Sequence, residues 1–261
     1  MRVSAQPHAR ATGLPPLALP SGWSYLFDAS SADGVGNRTI GNHSQVSTWD
    51  SQGSLGDATQ ATAAAQPMLR KRWIGRCGAA SFDGVSDFLT VASSQADLAF
   101  LHTTGVFDVV MVLRKSAATQ GVIFGSANGA TEKGFRVVLD NSAGNDRVTF
   151  YLYNGATAIF TAGLAYSIAL GAWTAVEFVA NGTHFGGSYT VQATAASLFA
   201  NGLGVGDATN VARLGMNAAG INPYCGDLAL LVVYPRVLDE ATEKAAIVRP
   251  VLNARYGLGL P

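Results

Sequence analysis

The stretch "FRVVLDNSAGNDRVTFYLYNG", Phe135–Gly155, decides the fold class. Two runs rich in Val, Phe and Tyr flank the polar link "NSAGN", which has the length and composition of a hairpin connection. In the second run Tyr151 and Tyr153 fall on one side of a pleat and Phe150 and Leu152 on the other. The pattern predicts an antiparallel strand pair with one face turned to a core.

Working outward, the same signal recurs. In "VFDVVMVLR" the residues Phe107, Val109, Met111 and Leu113 alternate with Asp108, Val110, Val112 and Arg114. "WSYLFDAS", "QVSTWD", "DFLTV", "GVIFGS", "WTAVEFVA", "GSYTVQAT", "VARLGMN" and "DLALLVVY" extend the series, each bounded by Gly, Asn or Ser. There is no internal repeat and no interdomain linker. Repeated hairpins with one core-facing side predict an all-β fold, a two-sheet antiparallel sandwich over residues 21–261. A chain of 261 residues with 48% hydrophobic content can bury one sizeable core, and 30 glycines with only 13% charged residues suit a turn-rich sandwich better than a helical bundle.

One helix is expected at 239–257. Asp239 can cap it, Glu240 and Glu243 complement its positive end, and Gly257 can end it in a left-handed conformation. Ala245, Val248, Leu252 and Tyr256 form the helical stripe, and Pro250 is expected to kink or divide the helix. Residues 1–20 form an extended N-terminal arm, because Pro15, Pro16 and Pro20 restrict the backbone. The arm reads as a tether or docking element, and it lacks the apolar core of a secretory signal.

Seventeen basic and seventeen acidic side chains balance, so no global field draws the chain to nucleic acid or to an anionic membrane. No apolar run approaches the roughly 20 residues that span a bilayer. Cys77 and Cys225 are far apart and outside any metal spacing, and buried free thiols are favoured over a long-range disulfide. The sequons at Asn37, Asn42 and Asn181 read as ordinary Asn-rich loops.

The order "LFDASSADG…VSTWDSQGSLGDATQATAAAQPML…ASFDGVSDFLTV…GDLALLVVYPRVLDEATEKAAIVRPVLNARYGL" closely resembles the concanavalin A-like lectin/glucanase superfamily. More narrowly it is similar to the laminin G-like domains of bacterial surface proteins and phage virion proteins. The resemblance runs from about Trp23 to Leu258 and is most specific at Trp49–Gln60, at the F-D-G-x-x-D-F-L segment and at the closing helix. It implies a jelly-roll sandwich that binds ligands more often than it catalyses.

Hydrolytic members of that superfamily carry E-x-D-x-x-E on one strand, so that two carboxylates flank the scissile bond. This chain has four glutamates, Glu132, Glu177, Glu240 and Glu243, none in that motif. Glu177 is expected to face solvent from its strand. Asp83 and Asp87 lack strand alternation and read as the two ends of a turn into the sandwich. His8, His43, His102 and His184 read as isolated loop residues. The chain is therefore expected not to be an enzyme and to need no cofactor.

Tyr151 and Tyr153, with neighbouring Asn154, are the candidate platform for sugar rings, although packing at a sheet rim accounts for them equally well. The loop Asp140–Asp146 offers oxygen ligands of the kind calcium prefers through Asp140, Asn145 and Asp146, yet lacks the order of a recognised calcium loop. A plain hairpin is the favoured reading. Trp73 stands in the one basic cluster, with Arg70, Lys71, Arg72 and Arg76, which is more charged than the resembling pattern and suits a protein neighbour or an acidic glycan. Three functions follow. The first is a virion-associated decoration protein, placed in a capsid or tail by its arm through Pro15 and Pro16 and released with the particle by lysis. The second is a carbohydrate-binding module for a cell-surface glycan, and the third, by fold analogy alone, is a glycoside hydrolase.

Overall fold

The computed structural model describes residues 17–34, 36–37, 39–92, 94–129, 131–140, 147–156, 158–163, 168–182, 184–186, 197–198 and 206–260. In chain order its strands are β1 (Tyr25–Asp28), β2 (Thr48–Trp49), β3 (Ala58–Thr59), β4 (Met68–Ile74), β5 (Cys77–Asp83), β6 (Leu89–Val91), β7 (Val106–Lys115) and β8 (Gly121–Gly125), followed by β9 (Lys133–Asp140), β10 (Arg147–Asn154), β11 (Ala158–Gly163), β12 (Trp173–Asn181), β13 (His184–Gly186), β14 (Ser197–Leu198), β15 (Arg213–Leu214) and β16 (Cys225–Tyr234). They form two antiparallel sheets. The first runs β14-β13-β12-β7-β16-β5-β4 with β1 also paired to β16, and the second runs β11-β10-β9-β8-β15-β6-β3-β2. The hairpin that opened the sequence reading pairs β9 with β10, Phe135 opposite Leu152 and Val137 opposite Phe150. The strand expected at "GSYTVQAT" and the prolines Pro15 and Pro16 lie outside the described residues.

The main core lies between the sheets. Val109, Met111, Leu113, Phe178 and Leu231 of the first sheet meet Phe124, Phe135, Val137, Phe150 and Leu152 of the second. Phe150 stacks on Phe107 with centroids 5.3 Å apart and tilts against Phe178 at 5.4 Å. Each buried aromatic of this kind removes on the order of 150–250 Å² from water.

The first sheet departs from the expected pattern of one core-facing side. Its outer face is also buried: Val110, Val112, Ala175, Leu230, Val232 and Tyr234 pack under Val248, Leu252 and Tyr256 of the C-terminal helical segment, with Leu17, Leu19 and Trp23 alongside. The unbroken apolar run "LALLVV" in β16 reflects this two-sided burial, because a strand covered on both faces has no use for alternation. No helix among the described residues is long and apolar enough to cross a membrane.

The C-terminal segment begins as a π-helix, Glu240–Val248, capped by Asp239, whose carboxylate accepts the N–H groups of Ala241 and Thr242. It continues as α-helix Arg249–Tyr256 and ends at Gly257 with φ 66°. The change of pitch falls at Pro250: the Arg249 N–H still donates to the carbonyl of Lys244, and Pro250, in the first turn of the α-helix, has no N–H to place. The wider turn also shifts the buried stripe. Ala245 is exposed and Lys244 is buried in its stead.

Lys244 enters the interior because two acids wait there. Its ammonium lies 2.9 Å from Asp108 and 2.8 Å from Glu177, all three side chains being at most 5% exposed. Glu177 therefore does not face solvent as expected. It sits on β12 close to Asp108 on β7, and the two carboxylates share one cation beneath the helix. Burial, then the neighbouring Glu177 charge, push the Asp108 carboxyl well above its usual range, against the pull of Lys244.

Asp83 and Asp87 carry the chain from the first sheet, at the end of β5, to the second, at the start of β6. Asp83 Oδ1 accepts the N–H groups of Val85, Ser86 and Asp87, while Asp87 Oδ2 accepts the N–H of Asp83 at 2.9 Å. Gly84, at φ 75°, turns the corner where a side chain would strike Cys225. Cys77 and Cys225 are free thiols, Cys77 buried and Cys225 half-buried. Among the histidines, His102 is fully buried instead of sitting in an open loop, and burial pulls its imidazole down to about 4.

Two outcomes check this account. Lys244→Met strands two buried carboxylates and should cost roughly 3–5 kcal/mol in urea denaturation, whereas replacing Lys244, Asp108 and Glu177 together by apolar residues should be near neutral. Burial raises Asp87 from 3.8 to about 6, so between those values the native state holds a proton that the unfolded chain has released. Asp87 thus makes stability fall as pH rises through that window and level off above it. Asp87→Asn, which keeps an acceptor for Asp83, should flatten that part of the profile in denaturation midpoints measured from pH 4 to 7.

Candidate functional site

The C-terminal helical segment covers most of the first sheet's outer face, whereas the second sheet turns a row of polar side chains outward. Inward residues of this sheet, Trp49, Ala58, Leu89, Leu214, Phe124, Phe135 and Phe150, belong to the core. The alternate positions face out, and their registers join into one cross-strand row. Thr48 pairs with Thr59, Thr59 with Thr90, Thr90 with Arg213, Arg213 with Gly125, Gly125 with Arg136, and Arg136 with Tyr151. Three hydroxyls, two guanidiniums, a glycine and a phenol thus line up across seven strands. Thr59 is exposed, and Thr48, Thr90, Arg213, Arg136 and Tyr151 are half-buried.

At the hairpin end the polar groups are locked together. The Arg136 guanidinium lies 5.1 Å from the Tyr151 ring centroid and 5.4 Å from that of Tyr153. It donates to the Tyr153 hydroxyl at 2.6 Å and to the Asn128 carbonyl at 3.0 Å. The Tyr151 hydroxyl donates to Asp140 at 3.2 Å. Burial, then the Asp140 charge, raise the Tyr151 phenol above its usual range, and burial raises that of Tyr153 although Arg136 pulls it down. Both phenols are protonated donors near neutral pH.

In the middle of the row, Arg213 donates to the Asn217 carbonyl at 3.2 Å and lies 4.4 Å from the Phe88 ring centroid. Burial without a counter-charge lowers its pKa. Gly125 lets the strands approach, since a Cβ there would stand 3.0 Å from the Arg136 Cα and from the Phe135 carbonyl. Gly125 is itself buried between the two arginines.

The tyrosine pair is thus not the open two-ring platform expected. The rings are parallel within 7° and 6.0 Å apart, but Tyr153 is only 4% exposed. It pairs with Gly134 on β9, and its hydroxyl accepts from Arg136. Tyr151 and Arg136 form the accessible part. Asn154 is exposed and uses its side-chain oxygen to accept the N–H of Ala156 in the following turn. Asp140 is buried and holds Tyr151, while Asn145 and Asp146 lie outside the described residues. Among the described residues no three His, Cys, Asp or Glu side chains gather as a metal site would require.

Trp73 is not part of this row. It stands on β4, at the edge of the first sheet, between the guanidiniums of Arg70 at 4.7 Å and Arg114 at 4.8 Å. A register break between Arg70 and Ile74, with Arg72 at φ 55°, brings the indole back over the sheet. Lys71 donates to the Asn37 carbonyl at 2.6 Å, and Arg72 and Arg76 are exposed. The basic cluster is therefore partly engaged within the chain, with Trp73 37% exposed at its centre.

Arg136, Arg213 and Gly125 were not singled out from sequence. The available signal was a cation placed inside an otherwise apolar strand run, in "FRVVLD" and "VARLGMN".

The fold has counterparts among solved structures. Domain 4 of AbnA, a GH43 extracellular arabinanase from Geobacillus stearothermophilus solved with arabinotriose, is similar with a TM-score of 0.60 at 14% identity, covering 87% of this chain and 98% of that one. Trypanosoma rangeli sialidase, solved with sialic acid, is similar with a TM-score of 0.57 at 14% identity, covering 94% of this chain. The fold is a two-sheet antiparallel jelly-roll sandwich. The chain spans 36% of that sialidase's length. No family model matches the sequence, and no curated protein matches it.

On this jelly-roll sandwich a structural arginine and a site arginine should behave differently when neutralised. Arg255→Met strands the buried Asp28, to which Arg255 donates at 2.7 Å, and should cost about 3–5 kcal/mol. Arg213→Met removes a half-buried cation with no acid against it, and should leave the denaturation midpoint unchanged or higher.

Proposed function

We propose that the chain is a non-catalytic, lectin-like carbohydrate-binding module whose binding face is the outer row of the second sheet. One observation carries this reading: aromatic, guanidinium and hydroxyl groups line up across that sheet, while the first sheet has its outer face packed under the C-terminal helix. Saccharides are held by an aromatic face together with hydrogen-bonding groups fixed on a rigid surface, and Tyr151, Arg136, Arg213 and Thr90 offer that combination. The likeness to domain 4 of an arabinanase solved with arabinotriose is consistent with it, as a likeness of fold.

The non-catalytic part rests on the acids. Asp108 and Glu177 are tied to Lys244 under the helix, and Asp83 and Asp87 are committed to backbone N–H groups of a turn. Glu132 accepts from Asn128 and Asn210. None of these stands as a free pair over the binding row, which glycoside hydrolysis requires.

A second reading is a laminin G-like building block of a phage particle or another extracellular assembly, joined to its protein neighbours through the N-terminal arm. What favours it is the anchoring of the arm's base: Leu17 and Leu19 pack on the first sheet, and the Tyr234 hydroxyl donates to the Pro20 carbonyl at 3.1 Å. The exposed Trp73 between two arginines supplies a contact point for such a neighbour. The two readings are compatible, since a decoration protein can carry a glycan-binding face.

A glycan array separates them. Tyr151→Ala should weaken saccharide binding by about three- to tenfold, Trp73→Ala should leave it unchanged, and no reducing sugar should be released from any bound glycan. An unchanged array profile for Tyr151→Ala would remove the row from consideration. Removal of residues 1–16 should abolish incorporation into particles, and retained incorporation would end the assembly reading.

A further inference from the structure

Among the described residues, four arginines close on carboxylates: Arg114 on Asp227, Arg236 on Glu243, Arg249 on Glu240 and Arg255 on Asp28. Arg136 and Arg213 do not. They rest on the rings of Tyr151 and Phe88 and donate to carbonyls and a phenol. The Nε of each is buried without a hydrogen-bond partner among the described residues. A guanidinium drawn partly out of water with no counter-charge costs stability, and two of them occupy one cross-strand row with Gly125 between.

Their positions are also fixed. Strands two apart stand roughly 9.5 Å from each other, so the two arginine stems rise about that far apart, with Gly125 buried between them. Arg136 is held to the carbonyl of Asn128 and Arg213 to that of Asn217. The loops bearing these carbonyls are themselves joined, because the Ala219 N–H donates to Asn128 Oδ1 at 2.6 Å. Both cations thus hang from one braced rim, an arrangement already organised before anything binds.

We propose that this pair of guanidiniums takes the carboxylate of an acidic sugar on the solvent side of Arg136 and Arg213, with the sugar ring against Tyr151. A neutral sugar would leave both charges uncompensated, whereas a carboxylate matches the planar fork of a guanidinium. Two cations are too few to hold a polyphosphate backbone at physiological salt, and the threonines of the row suit a hydroxylated ligand. The inference rests on the carbohydrate-binding reading and adds its ligand class.

Titration calorimetry on the full chain tests it with trigalacturonate, its methyl ester, 3'-sialyllactose, arabinotriose and a heparin oligosaccharide. At least one of trigalacturonate and 3'-sialyllactose should bind, identifying uronate or sialate as the source. Arg213→Met and Arg136→Met should each weaken it about tenfold or more, with Arg213→Lys recovering part of the loss. Arg213→Met, expected to fold as well as the parent, guards against a folding artefact. If the methyl ester or arabinotriose binds as tightly as the acid, or Arg213→Met binds normally, the acidic-sugar assignment falls while the carbohydrate reading stands. Binding confined to heparin would also overturn the assignment. Binding to none of the five would overturn both.

Discussion

The ammonium of Lys244, held between Asp108 and Glu177 beneath the C-terminal helix, couples three elements that are remote in sequence. It neutralises one of two carboxylates that would otherwise lie in a low-dielectric layer, and it fixes the rotation of the helical segment that covers β7, β12 and β16. A helix rotated to bury Ala245 instead would leave both acids without a cation. The widened π turn is the backbone's accommodation of that requirement. With the helix so placed, most of one outer face of the sandwich is converted into a second core, and the polar cross-strand row lies on the other sheet.

Much of the architecture was legible because it is local. The hairpin at Phe135–Gly155 declares itself through alternation and a polar link, and Asp83-Gly84 marks the crossing between sheets because aspartate can accept successive backbone N–H groups where glycine turns. What escaped was phase. Helical periodicity of 3.6 places Ala245 on the stripe, and only the π geometry exchanges it for Lys244. Glu177 looked solvent-facing because the polar partners that admit it to the interior come from β7 and from the helix, both far away in the chain. The outer face of β7, with Val110 and Val112 beside Asp108, carried the hint of two-sided burial.

The cross-strand row was harder to read for a related reason. Arg213, Gly125 and Arg136 become neighbours only through the order in which β15, β8 and β9 pair, and register between distant strands leaves no periodic trace. The two tyrosines were visible, yet how far each ring is covered depends on its neighbours. Tyr153 pairs with Gly134 and is buried, whereas Tyr151 pairs with Arg136 and stays half-open. One glycine and one arginine, neither remarkable in sequence, decide which aromatic a ligand could reach.

Leu17 and Leu19 near one end of the described chain and Leu258 and Leu260 near the other belong to the same apolar layer. Entry and exit therefore both lie on the helix side of the molecule, with the full thickness of two sheets between them and the arginine row. Whatever is joined to either end attaches like a handle behind a blade. Several copies displayed from a common scaffold would all present their rows outward, so that weak individual contacts could act together on a repetitive surface.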